Sequence, residues 1–132
     1  MIVVDASAVV DALFDTAPFA ERIHEQLVEH AGDLHAPHLV DAEVGQVLRR
    51  YLLARAVRPA RAARAIERLG VLGIKRYPHL IFLPRAMRLH RNLTVYDGLY
   101  VALAEALGAP LLTRDGRLAR SARHLVEIVH IA

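Results

Sequence analysis

The chain has 132 residues, room for one hydrophobic core. A hydrophobic share of 55% excludes a disordered linker, the absence of cysteine excludes disulfide scaffolds, thiolate zinc sites and cysteine nucleophiles, and 5% aromatics without Trp speak against a base-stacking platform. The net charge of +3 hides a division: residues 1–43 carry nine acids and one base, whereas residues 44–132 carry sixteen bases and five acids.

Of the seventeen bases only Lys75 is lysine. Arginine suits planar, bidentate phosphate recognition, although an Arg-rich solvated surface gives the same count. The longest apolar stretch, Leu99 to Leu112, is broken by Glu105, Gly108 and Pro110 and is short of the about 20 residues a bilayer crossing needs. Ile2-Val3-Val4 follows Met1 with no basic segment before it, unlike a signal peptide. A cytoplasmic protein with no membrane partner is expected.

Ile2-Val3-Val4 predicts a short buried parallel strand that delivers Asp5 at its carboxyl end. Ser7 suits the cap of a helix through Phe14, and Pro18 the start of a second helix to about His30, with Phe19, Ile23 and Leu27 at helical spacing. Leu34-His35-Ala36 reads as a second strand. A longer helix from Leu39 to Ala54 aligns Val40, Val44, Val47 and Tyr51, and Pro59 opens another with Ala62, Ile66 and Leu69 inside. Gly73 to Tyr77 is a weak strand. Residues 79–91 are helical with Pro84 in the first turn or at a kink.

A helix from about Tyr96 to Leu107 ends at Gly108. Leu111-Leu112-Thr113 is then a buried strand, Arg117 to Ala122 a short helix, and Val126 to Val129 the last strand. Strands alternating with helices predict an α/β fold of one domain, residues 1–132, with a parallel sheet covered on both faces.

Ligands of such sheets bind beyond the carboxyl ends of the strands, where the strand order reverses. Asp5 and Asp115 each follow an apolar strand; Asp97 opens a helix, and Glu43 lies near the start of another. Singly, each has a structural alternative. Asp5 and Asp115 suit strand-end caps, Asp97 suits a helix N-cap, and Glu43 suits a solvated helix face. If the strands that deliver Asp5 and Asp115 are central neighbours, these carboxylates converge, and a convergent set stays ionised only around a shared cation. Hard oxygen donors without cysteine suit Mg²⁺ or Mn²⁺, which assist attack on a phosphodiester. Asp11, Asp15 and Asp41 read as surface charge. The eight histidines are scattered and suit surface or internally satisfied positions.

Four segments resemble the PIN domain, and more narrowly the VapC toxins of bacterial VapBC pairs. They are Ile2 to Ser7, Glu43-Val44, Thr94 to Ala104 and Leu111 to Asp115. The resemblance implies strand order 3-2-1-4-5, with Asp5 and Asp115 on adjacent strands, and an Mg²⁺-dependent endoribonuclease, with Mn²⁺ as a substitute. It carries the family's acids onto Asp5, Glu43, Asp97 and Asp115, with Asp5, Asp97 and Asp115 on the metal, and its supporting hydroxyls onto Ser7 and Thr113. It implies a small VapB-like antitoxin that covers the site and a homodimer. Apolar surface between Leu39 and Leu72 is the candidate interface for both. Gly98 stands where Ala is common, Gln46 where Asn is common, and Arg117 where some members carry another acid.

Arg114, Arg117 and Arg120 recur beside Asp115 and are the expected RNA contacts. The run Arg49, Arg50, Arg55, Arg58, Arg61, Arg64 and Arg68 suits either phosphate positioning or a solvated face. Two enzymatic rivals are weaker. A phosphoacceptor domain needs a lysine after a late strand, and an aspartyl-phosphate hydrolase needs D-x-D where this chain has Asp5-Ala6-Ser7. A non-catalytic basic RNA- or protein-binding module with a PIN-like fold is the remaining alternative.

Overall fold

Short apolar runs separated by amphipathic helices cannot pair as hairpins, and the chain folds instead into a five-stranded sheet of parallel strands. In the computed structural model, which describes residues 1–132, the strands are β1 (Ile2–Val4), β2 (Leu34–Pro37), β3 (Ile74–Tyr77), β4 (Leu111–Thr113) and β5 (Ile128–His130). The helices are α1 (Ala6–Leu13), α2 (Ala20–Glu29), α3 (Leu39–Leu53), α4 (Pro59–Val71), α5 (Leu83–Arg88), α6 (Val95–Leu107) and α7 (Gly116–Ala122), with a 3₁₀ turn at Leu80–Phe82. The order is β3-β2-β1-β4-β5, as the resemblance implied.

The chain leaves β1 toward β2 and β3, then crosses back to β4 and β5, so the order reverses beside β1. Val4 is paired with Leu112, and the next residues on each strand, Asp5 and Thr113, emerge side by side at that crevice. All residues of β1 and β4 are buried, which requires cover on both faces of the sheet. Helix α1 packs against α2, α3 and α4, while α6 lies across β1, β2 and β4 with α5 laid along it. No helix is long and apolar enough to cross a membrane.

Gly98 has a packing reason. A Cβ there would stand 3.1 Å from Ala86 Cβ and 3.2 Å from its Cα, so the missing side chain lets α5 and α6 touch. Gly108, at φ 63°, ends α6 in the left-handed conformation expected of it.

Local details depart from expectation where long-range packing decides. The second helix begins at Ala20, beyond Pro18, and β5 begins at Ile128, two residues later than its apolar run suggests. On α4 the inward face is Ala62, Ala65 and Leu69, and Ile66 is 57% exposed. Small alanines let α4 approach α1, and the rotation that seats them turns Ile66 outward.

Candidate active site

Asp5 leaves β1 into a ring of hydrogen bonds. Its Oδ2 accepts from Ser7 Oγ at 2.7 Å and from Thr113 Oγ1 at 2.7 Å. Each hydroxyl is itself held by a backbone amide. Arg114 N–H donates to Ser7 Oγ at 3.0 Å, and Asp115 N–H to Thr113 Oγ1 at 2.9 Å. Amide to hydroxyl to carboxylate is a chain in which each link polarises the next, and it fixes the Asp5 carboxyl from α1 on one side and β4 on the other. Ser7 therefore does not cap the first helix. It lies inside α1, whose N-cap position is Asp5, with no side-chain cap bond.

Asp97 is not a cap either. Thr94 is the N-cap of α6, its Oγ1 accepting from Asp97 N–H at 3.1 Å, so the Asp97 carboxyl is not spent on capping the helix. Thr94-Val95-Tyr96-Asp97 has the capping-box spacing, a signal present in the sequence. Asp115 is both strand-end acid and cap, since its Oδ1 accepts from Arg117 N–H at 2.9 Å and Leu118 N–H at 3.2 Å. Glu43, within the first turns of α3, accepts a 2.7 Å hydrogen bond from the Tyr100 hydroxyl of α6.

Burial and mutual repulsion hold Asp5, Glu43 and Asp97 against ionisation. Burial pushes the Asp5 carboxyl up, more than its two hydroxyl donors relieve, and Asp115 adds to the push. Burial likewise raises Glu43, with Asp5 and Asp97 adding repulsion. Asp97 is pushed up to about 6, first by burial and then by Asp5 and Asp115. None of the four acids joins any of the chain's ion pairs, despite seventeen Lys and Arg residues. A cluster of hard oxygen donors that joins no ion pair, with only Arg117 offsetting part of the charge at Asp97, fits a divalent cation. No three Asp, Glu or His side chains are grouped as a cage, so an ion here would draw on few carboxylates, and Mg²⁺ usually keeps several waters.

These shifts have a thermal signature. Asp97 binds its proton more tightly folded than unfolded, so the stability tied to that proton is complete below pH 4 and lost as pH rises through about 6. Allowing for its partial exposure, the neutral-pH penalty is about 1 kcal/mol. In EDTA at pH 7.5, Asp97→Asn is therefore expected to melt about 4 °C higher than the parent chain. The gain should shrink at pH 5, as differential scanning calorimetry will show.

The expected RNA contacts divide. Arg114 is committed to the fold: its Nε donates to Asp11 at 2.7 Å, its Nη1 to Ile131 O at 3.0 Å, and its guanidinium stacks 3.2 Å above the Phe19 ring. Asp11, read as surface charge, is instead the largely buried half of this pair. Removing Arg114 leaves Asp11 unpaired, so Arg114→Ala should lower unfolding free energy by about 3 kcal/mol in a urea titration.

Arg117 and Arg120 hold no ion pair. Arg117 lines a recess of about 100 Å³ with Asn92, Thr94, Asp97, Asp115 and Ser121. Arg120 lines a neighbouring hollow of about 300 Å³ with Arg123 and His130. In the other basic run, Arg61 and Arg68 close the carboxyl end of α1 by donating to Phe14 O and Leu13 O. The histidines behave as internally satisfied groups where they are paired. Buried His35 contacts Tyr77 and Asp33, and His79 accepts from Leu39 N–H. Asp41, read as surface charge, holds Arg76 through two bonds, of 2.6 and 2.8 Å.

Known proteins resemble this chain in sequence and in fold. The PIN domain family model matches residues 2–124. Ribonuclease VapC1 of Mycobacterium tuberculosis is 47% identical over 121 residues, covering 89% of this chain and 87% of the relative. Ribonuclease VapC12 of the same species is 38% identical over 135 residues, spanning both chains in full. A toxin-antitoxin complex from Klebsiella pneumoniae contains the same fold, with a TM-score of 0.71 over 100% of this chain and 98% of that one at 15% identity. Matched end to end in sequence and in strand order, the chain belongs to the PIN domain family, in its VapC-type branch.

Proposed function

We propose that the chain is a metal-dependent endoribonuclease and the toxin of a toxin–antitoxin pair. The observation that carries this reading is four carboxylates that join no ion pair, gathered where the sheet's order reverses: Asp5, Glu43, Asp97 and Asp115. The relatives' names, ribonucleases of the VapC type, support the substrate class. Asp5 and Asp97 would hold Mg²⁺ or Mn²⁺, with Asp115 contributing through its free oxygen or through solvent. When bound, the cation neutralises charge on the phosphodiester and makes a coordinated water more acidic.

The chain's own groups do the rest. Ser7 and Thr113 keep Asp5 oriented. Glu43, half buried and held at one oxygen by Tyr100, has its other oxygen free to accept a proton from the attacking water. Arg117 and Arg120, unpaired and beside Asp115, supply phosphate contacts. Such contacts position the strand without reading its sequence. In an Asp5→Asn background that binds RNA without cutting it, Arg117→Ala and Arg120→Ala should each weaken affinity and lower the salt slope by about 1. Arg114→Ala should leave that slope unchanged.

A VapB-like antitoxin and a second copy of the chain are the proposed partners, with α3 and α4 as their surface. Val44, Leu48, Leu69 and the exposed Ile66 line a groove of about 330 Å³ there, floored by the Asp41–Arg76 pair. The ribonuclease reading is tested by incubating the purified chain with matched single-stranded RNA and DNA oligonucleotides in Mg²⁺ and mapping the cut ends. Internal cuts in RNA alone are expected. Cutting of neither, or of both equally, would refute it.

A further inference from the structure

The acids of the cluster come from four different elements; Thr113 ties the ends of β1 and β4, and Tyr100 ties the helices that carry Asp97 and Glu43. Tyr100 lies three residues after Asp97 on α6, so both project from one face of that helix. Its side chain is fully buried, and its hydroxyl donates at 2.7 Å to Glu43 Oε1 on α3. Asp5, the first residue beyond β1, stands close to the same phenol. The phenol thus touches α3 and lies near Asp5 while belonging to the helix that carries Asp97.

We infer that Tyr100 is a positioning residue for Glu43: its hydroxyl fixes the Glu43 carboxylate so that one oxygen is held and the other faces the reacting water. This rests on the ribonuclease reading. The chemistry explains the residue type. Beneath a cluster of carboxylates the group must fill apolar space, carry no charge and donate one hydrogen bond. A phenol does all three, and burial among acids keeps this one protonated. Serine or threonine would leave a void, and lysine would bring a charge that competes with the cation. Fully buried, Tyr100 does not meet substrate and acts only through Glu43.

The test is a double-mutant cycle on metal-loaded protein with single-stranded RNA. Tyr100→Phe keeps the ring and deletes the donor. It should lower kcat about 10- to 100-fold and change KM for RNA less than about twofold. In a Glu43→Ala background the same change should cost less than about twofold, because its target is gone. Equal losses in both backgrounds, or an undiminished Tyr100→Phe enzyme, would overturn the assignment. A packing role alone gives the equal-loss pattern.

A second measurement needs neither activity nor metal. Fluorotyrosine placed at position 100 retains packing and hydroxyl, and its fluorine resonance in EDTA should move when Glu43→Ala removes the acceptor. An unmoved resonance in the folded protein would refute the contact. A wild-type chain that cuts no RNA would bring down the ribonuclease reading and this proposal together. An active wild type with a fully active Phe variant brings down only this one.

Discussion

Asp5→Asn is expected to cut RNA at least about a thousandfold more slowly than the parent chain while keeping its fold. The substitution preserves volume and one oxygen able to accept from Ser7 and Thr113, whose donors meet the parent carboxyl at 2.7 Å each. What disappears is a charge in the least solvated carboxylate of the cluster. Losing several kcal/mol of charge stabilisation in the transition state corresponds to roughly 10³ in rate or more. The apo protein should meanwhile be no less stable, since Asp5 ionises against its surroundings. Loss of activity with a retained or raised melting temperature separates a cation site from a structural cap. A cap would lose stability instead. Full cleavage by the folded variant would refute the assignment of Asp5.

Thr113→Val is expected to lose about 10- to 100-fold in activity and about 2 kcal/mol in stability. Thr113 is wholly buried, donates to Asp5 and accepts from Asp115 N–H. Valine fills the same space but leaves that amide unpaired and frees one side of the Asp5 carboxyl. Thr113→Ser keeps the hydroxyl and should recover most of the activity. If valine and serine behave alike in both assays, the hydroxyl relay has no part in the site.

The strands and the four acids were legible because their signals are local. Each apolar run ends in the residue that the fold uses, as in Val4-Asp5 and Thr113-Arg114-Asp115, and period alone separates strand from helix. Strand order was not legible from period; it came with the resemblance, and the pairing of Val4 with Leu112 agrees with it.

The misses are contacts between distant parts of the chain. Arg114 shares a three-residue spacing with Arg117 and Arg120, yet Asp11 and Phe19, about a hundred residues away, commit it to the fold. Tyr100 reads as core packing, and so it is; its bond to Glu43 appears only once α3 and α6 meet. Ile66 has the right spacing for the inside of α4, but neighbouring alanines pack more closely and win the face. Thr94 is the exception, a capping signal that was present and local but weighed less than Asp97 beside it.

The most direct test of the central claim is cleavage of a labelled single-stranded RNA by the purified chain, first in EDTA and then with Mg²⁺ restored in excess. No Lys, Arg or His side chain pairs with Asp5, Glu43, Asp97 or Asp115, and the proposed reaction therefore calls for an ion from solution. The expected result is no cutting in EDTA, recovery on adding Mg²⁺ or Mn²⁺, and no recovery in Asp5→Asn. Cutting that persists unchanged in EDTA would contradict a cation-dependent site built on these four carboxylates.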